Sequence, residues 1–151
     1  MNPILEFAFE ARVKVAEPLV VGQSSHGLRR IIPILGGRCS GPLLEAEVLP
    51  GGADWQFVRP DGVVSLEARY TLRTADGALV QVINRGLRHG PAEVLASIAR
   101  GEEVDPASYY FRTVAEFEAP LGPQEWLNKA VFLGAARRLR DEAIVAFYRV
   151  L

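Results

Sequence analysis

The chain has 151 residues, 49% of them hydrophobic, with 17 basic and 18 acidic residues and a formal net charge of −1. That length supports one domain with a real core (1–151) and is too short for two, and the balanced charge, without runs of either sign, argues against a nucleic-acid or anionic-membrane partner. A lone Cys39 excludes an internal disulfide framework and reads as a small packed hydrophobe in a reducing compartment.

Residues 1–18 carry alternating charges where a signal peptide needs a basic start and an unbroken apolar core. No stretch approaches the roughly 18 apolar residues of a membrane span, so a cytoplasmic chain is expected. From Leu5 to Val15 the odd positions are apolar while Glu6, Glu10, Arg12 and Lys14 take the other side, the period of a half-buried strand. A strand is expected at Leu43 to Leu49, and Leu49 to Gln56 then packs Gly51, Gly52, Asp54 and Trp55 into a loop that reads as the rim of a pocket. Trp55 to Val58 is expected to pair with the strand that alternates from Val64 to Leu72. Asp76-Gly77 turns that strand back into Ala78 to Asn84 as a hairpin. One helix is expected at Pro91 to Arg100, with Pro91 in its first turn and Gly101 as its stop. Further strands are expected at Tyr109 to Glu118, Asn128 to Leu133 and Ala143 to Leu151, with Arg137 to Asp141 as a charged connector. Many short antiparallel strands with one surface helix predict an all-β fold, a single antiparallel barrel, because long first and last strands can pair and remove the open edges.

The residues also carry a resemblance. Gly36-Gly37-Arg38 with Gly41-Pro42, Leu49 to Trp55, Ala68-Arg-Tyr-Thr-Leu72 before Asp76-Gly77, Tyr109 to Thr113, and Trp126-Leu-Asn128 stand in order along nearly the whole chain. Together they resemble the domain of unknown function 3237 family of bacterial proteins. The resemblance implies a small β-barrel of the calycin or lipocalin type, a homo-oligomer, and no reaction.

Chemistry is therefore read from residue types. His26, His89 and Cys39 show no metal-ligand spacing, and neither Gly36-Gly37 nor Gly51-Gly52 opens a helix before a Lys-Ser or Lys-Thr, so no metal and no cofactor is expected. Arg69 beside Tyr70, Arg112 after Tyr109 and Tyr110, and Asn128 after Trp126 are polar residues in apolar strand context. Facing a lumen, such arginines bind a carboxylate or enolate oxygen and tyrosines donate a hydroxyl; facing outward, they pair with Glu67, Glu116 or Glu118. Asp54 either caps its own turn or serves as a general base at the lumen mouth, with Trp55 as a plug or a stacking wall. Asn84 and Arg85 either sit at the same rim or form a turn. Three functions follow: a carrier of a small, partly apolar, acidic molecule; a cofactor-independent isomerase, cyclase or lyase working by proton transfer; or an oligomer whose surface serves only assembly. Convergence of Asp54, Arg69, Tyr109 and Arg112 on one cavity discriminates the first two.

Overall fold

In the computed structural model, which describes residues 1–151, alternation in β1 (Leu5–Val15) buries Phe9, Ala11, Val13 and Val15. Both edges of this strand are paired, one with β10 (Glu142–Val150) and the other with β3 (Gly27–Ser40). From β10 the hydrogen bonds run through β9 (Phe132–Arg138), β8 (Tyr110–Glu118), β7 (Leu79–His89) and β6 (Val64–Thr74). Beyond β6, the short β4 (Ala46–Val48) and β5 (Ala53–Val58) share one position and lead back to β3. The result is a closed eight-stranded antiparallel barrel, which leaves no open edge in its wall. β2 (Leu19–Ser24) lies beside the N-terminal half of β3.

The pairing of first and last strands, the Asp76-Gly77 hairpin and the partnership of β5 with β6 match the sequence expectations. So does α1 (Ala92–Ala99), which follows Pro91 and ends before Gly101 at φ +79°. Elsewhere the structure corrects the reading. In β1 the register shifts between Phe7 and Phe9, so Leu5 and Phe7 face outward and Ala8 is buried. The strand expected at Leu43 to Leu49 shrinks to β4. Asn128 to Leu133 is not one strand: Glu125–Lys129 forms a 3-10 turn, and β9 begins only at Phe132 and runs through Arg137 and Arg138, once taken for a connector. No strand was expected where β2 and β3 run; Gly22, Gly27, Pro33, Gly36 and Gly37 interrupt the period-two pattern there. Leu49 to Gln56, expected as one rim loop, divides: Ala53 to Gln56 lie in β5, and Leu49 to Gly52 is a loop but not at a rim. It breaks the wall midway between β4 and β5, docked by backbone bonds of Ile34 N–H to Gly52 O (2.8 Å) and Leu49 N–H to Thr71 O (2.9 Å).

The core fills the barrel unevenly. At one end Phe9, Phe117, Phe132 and Phe147 meet edge-to-face or tilted, with centroids 4.9–5.7 Å apart. The other end is polar, and α1 lies over its mouth.

Candidate functional site

Strand register builds the polar end, because residues paired across antiparallel strands point to the same face. One lateral row runs Ile32, Asp54, Ala68, Asn84, Ala115 and Phe132 across β3, β5, β6, β7, β8 and β9. The next runs Arg30, Gln56, Leu66, Gly86, Thr113 and Gly134, and a third brings Val58, Val64, Arg88 and Phe111 together. From these rows Ile32, Asp54, Gln56, Asn84, Arg88 and Thr113, with Tyr70 and Arg138, line a cavity of about 50 Å3. It opens through Arg30, Arg88 and Arg138 into a vestibule of about 270 Å3 under Leu95, Ile98 and Arg100 of the α1 region.

A chain of hydrogen bonds crosses the floor: Arg30 Nη2 donates to Gln56 Oε1 (2.8 Å), and Gln56 Nε2 donates to Asp54 Oδ2 (2.8 Å). Arg138 is tied down at the mouth, where its Nη1 donates to Glu142 O (2.9 Å) and its backbone N–H donates to the Tyr109 hydroxyl (2.9 Å). Arg88 has only the Phe111 ring, 5.3 Å from its guanidinium carbon. Buried and without hydrogen-bond partners are Arg30 Nε, Asp54 Oδ1, Asn84 Oδ1, Arg88 Nε and Nη1, and Thr113 Oγ1. All six belong to residues that line these two connected spaces. Native proteins leave few such groups unpaired, so their concentration here marks a place shaped for something polar.

The electrostatics agree. Burial pushes the Asp54 carboxyl above its ordinary value, against the opposing pull of the Gln56 amide and of Arg88 and Arg138. Burial, with repulsion from Arg30 and Arg138, brings Arg88 down to about 10. Three arginines thus face one carboxylate. Asp54→Asn is expected to melt at the same temperature as the native chain below pH 3.8, the ordinary Asp value. Above it the unfolded native chain ionises first while the fold holds its proton, so native stability falls with rising pH until folded Asp54 has ionised too. The variant escapes that loss and should melt higher at neutral pH. Melting curves across pH 3 to 8 check this, and a lower neutral-pH melting temperature for the variant would contradict it.

Of the residues expected at a site, Asp54 and Tyr70 line the cavity, and Tyr109 is buried with its hydroxyl engaged by Arg138. The convergence expected for Arg69 and Arg112 does not occur. Arg69 lies outside beside Glu67 (3.6 Å), and Arg112 lies outside with its guanidinium carbon 5.8 Å from the Tyr110 ring centroid. Trp55, 43% exposed, is also outside. Alternation is the reason: with Asp54, Tyr70, Phe111 and Thr113 turned inward, their neighbours must turn outward. Trp126 packs on Phe132 (5.9 Å) at the phenylalanine-filled end, and Asn128 holds both the N–H (2.7 Å) and C=O (2.9 Å) of Ala119, which bends the chain into the 3-10 turn. Asn84 faces the cavity rather than a rim, while Arg85 bridges Glu67 (2.6 Å) and Glu116 (3.3 Å) outside. Sequence reasoning passed over Arg30, Gln56, Arg88, Thr113 and Arg138. Alternation from Asp54 to Gln56 and from Phe111 to Thr113 was the available signal.

Cys39 is fully buried, and desolvation, assisted by Glu45, pushes its thiol up to about 12. It should react with a thiol reagent at pH 8 only after denaturation, as a stopped-flow titration would show; fast labelling of the native chain would contradict its packing.

Fold and cavity together define a small closed β-barrel with an arginine-rich lumen. The chain belongs to the family described as protein of unknown function DUF3237, which matches residues 3–150. A UPF0311 protein of Rhodopseudomonas palustris is 42% identical over 153 residues, covering 100% of both chains. The crystal structure of a conserved protein of unknown function from that organism superposes with a TM-score of 0.97 at 40% identity, over 100% of this chain and 99% of the other. A β-barrel-like protein of Acinetobacter baumannii superposes at 0.87 with 39% identity, over 100% and 98%. The hydroalkoxylation enzyme phnH of Penicillium herquei is 30% identical over 80 residues, 53% of each chain. No helix is long and apolar enough to cross a membrane.

Proposed function

We propose that the barrel binds a small, partly apolar organic anion in its lumen. One observation carries this reading: Arg88, 7% exposed, holds a guanidinium whose Nε and Nη1 are buried without partners. A buried cation left unpaired is costly, and a carboxylate or enolate seated against an edge of that guanidinium supplies the opposing charge and a missing acceptor. Val13, Val15, Ile32, Ile34, Phe111 and Val145 offer apolar walls for the rest of the molecule. A thermal-shift screen of small carboxylates and aromatic acids tests the reading. An anion at about 100 times its Kd should add roughly 2.7 kcal/mol of stability, whereas its primary amide should add little. A screen in which acids and amides behave alike would sink it.

The outward turn of Arg69 and Arg112 removes the constellation expected for proton-transfer catalysis without a cofactor, as an isomerase, cyclase or lyase; it stands as a second reading only on Asp54 with Arg88 in their place. The Asp54 carboxyl is raised by burial, Gln56 fixes one oxygen, and the other faces the cavity unpaired, the arrangement of a tuned general base with Arg88 beside it to take developing negative charge. The partial likeness to a fungal hydroalkoxylation enzyme supports it. Any acid found by thermal shift would be incubated with the protein in D2O and its carbon-bound hydrogens followed by NMR. Exchange that disappears in Asp54→Asn supports catalysis, and absence of exchange leaves a binding protein.

A further inference from the structure

Thr113 stands in register between Gly86 on β7 and Gly134 on β9. A Cβ at Gly134 would lie 2.0 Å from Thr113 Oγ1, and one at Gly86 would lie 2.3 Å from the Arg112 carbonyl oxygen and 2.5 Å from Thr113 Cγ2. Both flanking positions are therefore cleared for one branched side chain. Its hydroxyl, in a residue 6% exposed, faces the cavity without a partner. Two residues before Gly86 on the same face of β7, Asn84 is 5% exposed and its Oδ1 is likewise unpaired. Valine would fill the space of Thr113 without stranding a hydroxyl, and leucine would fill that of Asn84.

These two groups want something Arg88 does not. Asn84 Oδ1 only accepts, and a carboxylate only accepts, so an anion seated on Arg88 leaves that oxygen unsatisfied. A hydroxyl donates one bond and accepts another, which matches Asn84 Oδ1 and Thr113 Oγ1–H together. Resting on the anion-pocket reading above, we infer that Asn84 and Thr113 form a hydroxyl-binding subsite, so that the lumen selects organic anions carrying a hydroxyl group. Arg88 lies two residues beyond Gly86, roughly 7 Å along the strand. The hydroxyl and the anionic group thus meet different lateral rows, which suits a 3- or 4-hydroxyaryl carboxylate better than an α-hydroxy acid.

Calorimetric titration of the whole chain with benzoate, 3-hydroxybenzoate and 4-hydroxybenzoate tests this. At least one hydroxylated acid should bind about tenfold or more tighter than benzoate, the effect of leaving a buried polar partner unpaired. Thr113→Val and Asn84→Leu should each bring that ratio close to one, and Thr113→Ser should keep it. If either variant fails to fold, the other carries the test. Equal binding of all three acids by the native chain overturns the subsite and leaves the anion pocket standing, as does a preference that survives in the folded variants. Binding of none of the three, with no other acid found by thermal shift, removes the anion pocket and the subsite together.

Discussion

Arg88→Met is expected to abolish binding of small carboxylates and, at the same time, to raise the melting temperature of the unliganded protein. The two effects share a cause. Arg88 brings a charge into the barrel that no protein group satisfies, with Arg30 and Arg138 as like-charged neighbours and Asp54 as the one opposing charge. Its lowered pKa says that the fold disfavours the charged form, and at neutral pH the side chain is charged regardless. Methionine keeps the aliphatic length and packs against Phe111 through sulfur while removing the charge. Relief of an unsatisfied buried group is worth about 1–3 kcal/mol. For a chain of this size that corresponds to a rise of roughly 2–12 °C. Arg88→Lys retains a charge without the fork and should keep only part of the affinity. A melting temperature that falls in Arg88→Met by a similar amount would mean that the guanidinium is satisfied in the free protein, and the argument for a vacant anion seat would fail.

Gly37→Ala should be the most damaging small substitution in the barrel wall. Gly37 pairs with Val13 on β1 and with Val48 on β4, so it lies on the seam where the sheet closes. Its φ is +142°, and a Cβ there would stand 2.0 Å from the carbonyl oxygen of Arg12 and 3.2 Å from Val13 Cα. These are backbone atoms of the partner strand, which cannot move aside without breaking the ladder. An unfavourable backbone conformation costs about 1–2 kcal/mol and a forced fit another 1–3. Melting is expected to fall by roughly 5–15 °C, with anion binding weakened as the wall loosens. Gly22→Ala is the control: φ is +109° there too, but nothing lies within 4 Å of the added carbon, so only the backbone cost remains. Equal losses in the two variants would show that the seam tolerates a methyl group.

Part of the site was legible in the sequence, and the errors in it have physical causes. Asp54 and Tyr70, both named as candidates, line the cavity, but each was paired with a sequence neighbour, Trp55 and Arg69, that alternation sends to the opposite face. The more instructive failure is β7. Val80 and Val82 predict an inward face that continues through Asn84, Gly86 and Arg88, yet Gly86 read as a stop and the strand was ended before the residue that matters most. Gly86 is a strand residue whose missing side chain leaves room for the Arg112 carbonyl and for Thr113 on the neighbouring strand. A neighbour on another strand decides that, and nothing in the local sequence announces it.

The sequence by itself determined the strand-rich architecture, the closure of first on last strand, the hairpin at Asp76-Gly77, the helix at Pro91 and the family. Each follows from local periodicity, turn chemistry or motif order. Tertiary structure alone decided which face of each strand is the lumen. On β5, Asp54 and Gln56 turn inward while Trp55 and Phe57 turn outward, the reverse of the rule that apolar residues go inside. Period two defines two faces of a strand without saying which is enclosed. Register across neighbouring strands settles that, and the same register gathers Asp54, Asn84, Arg88 and Thr113 from three strands around one cavity.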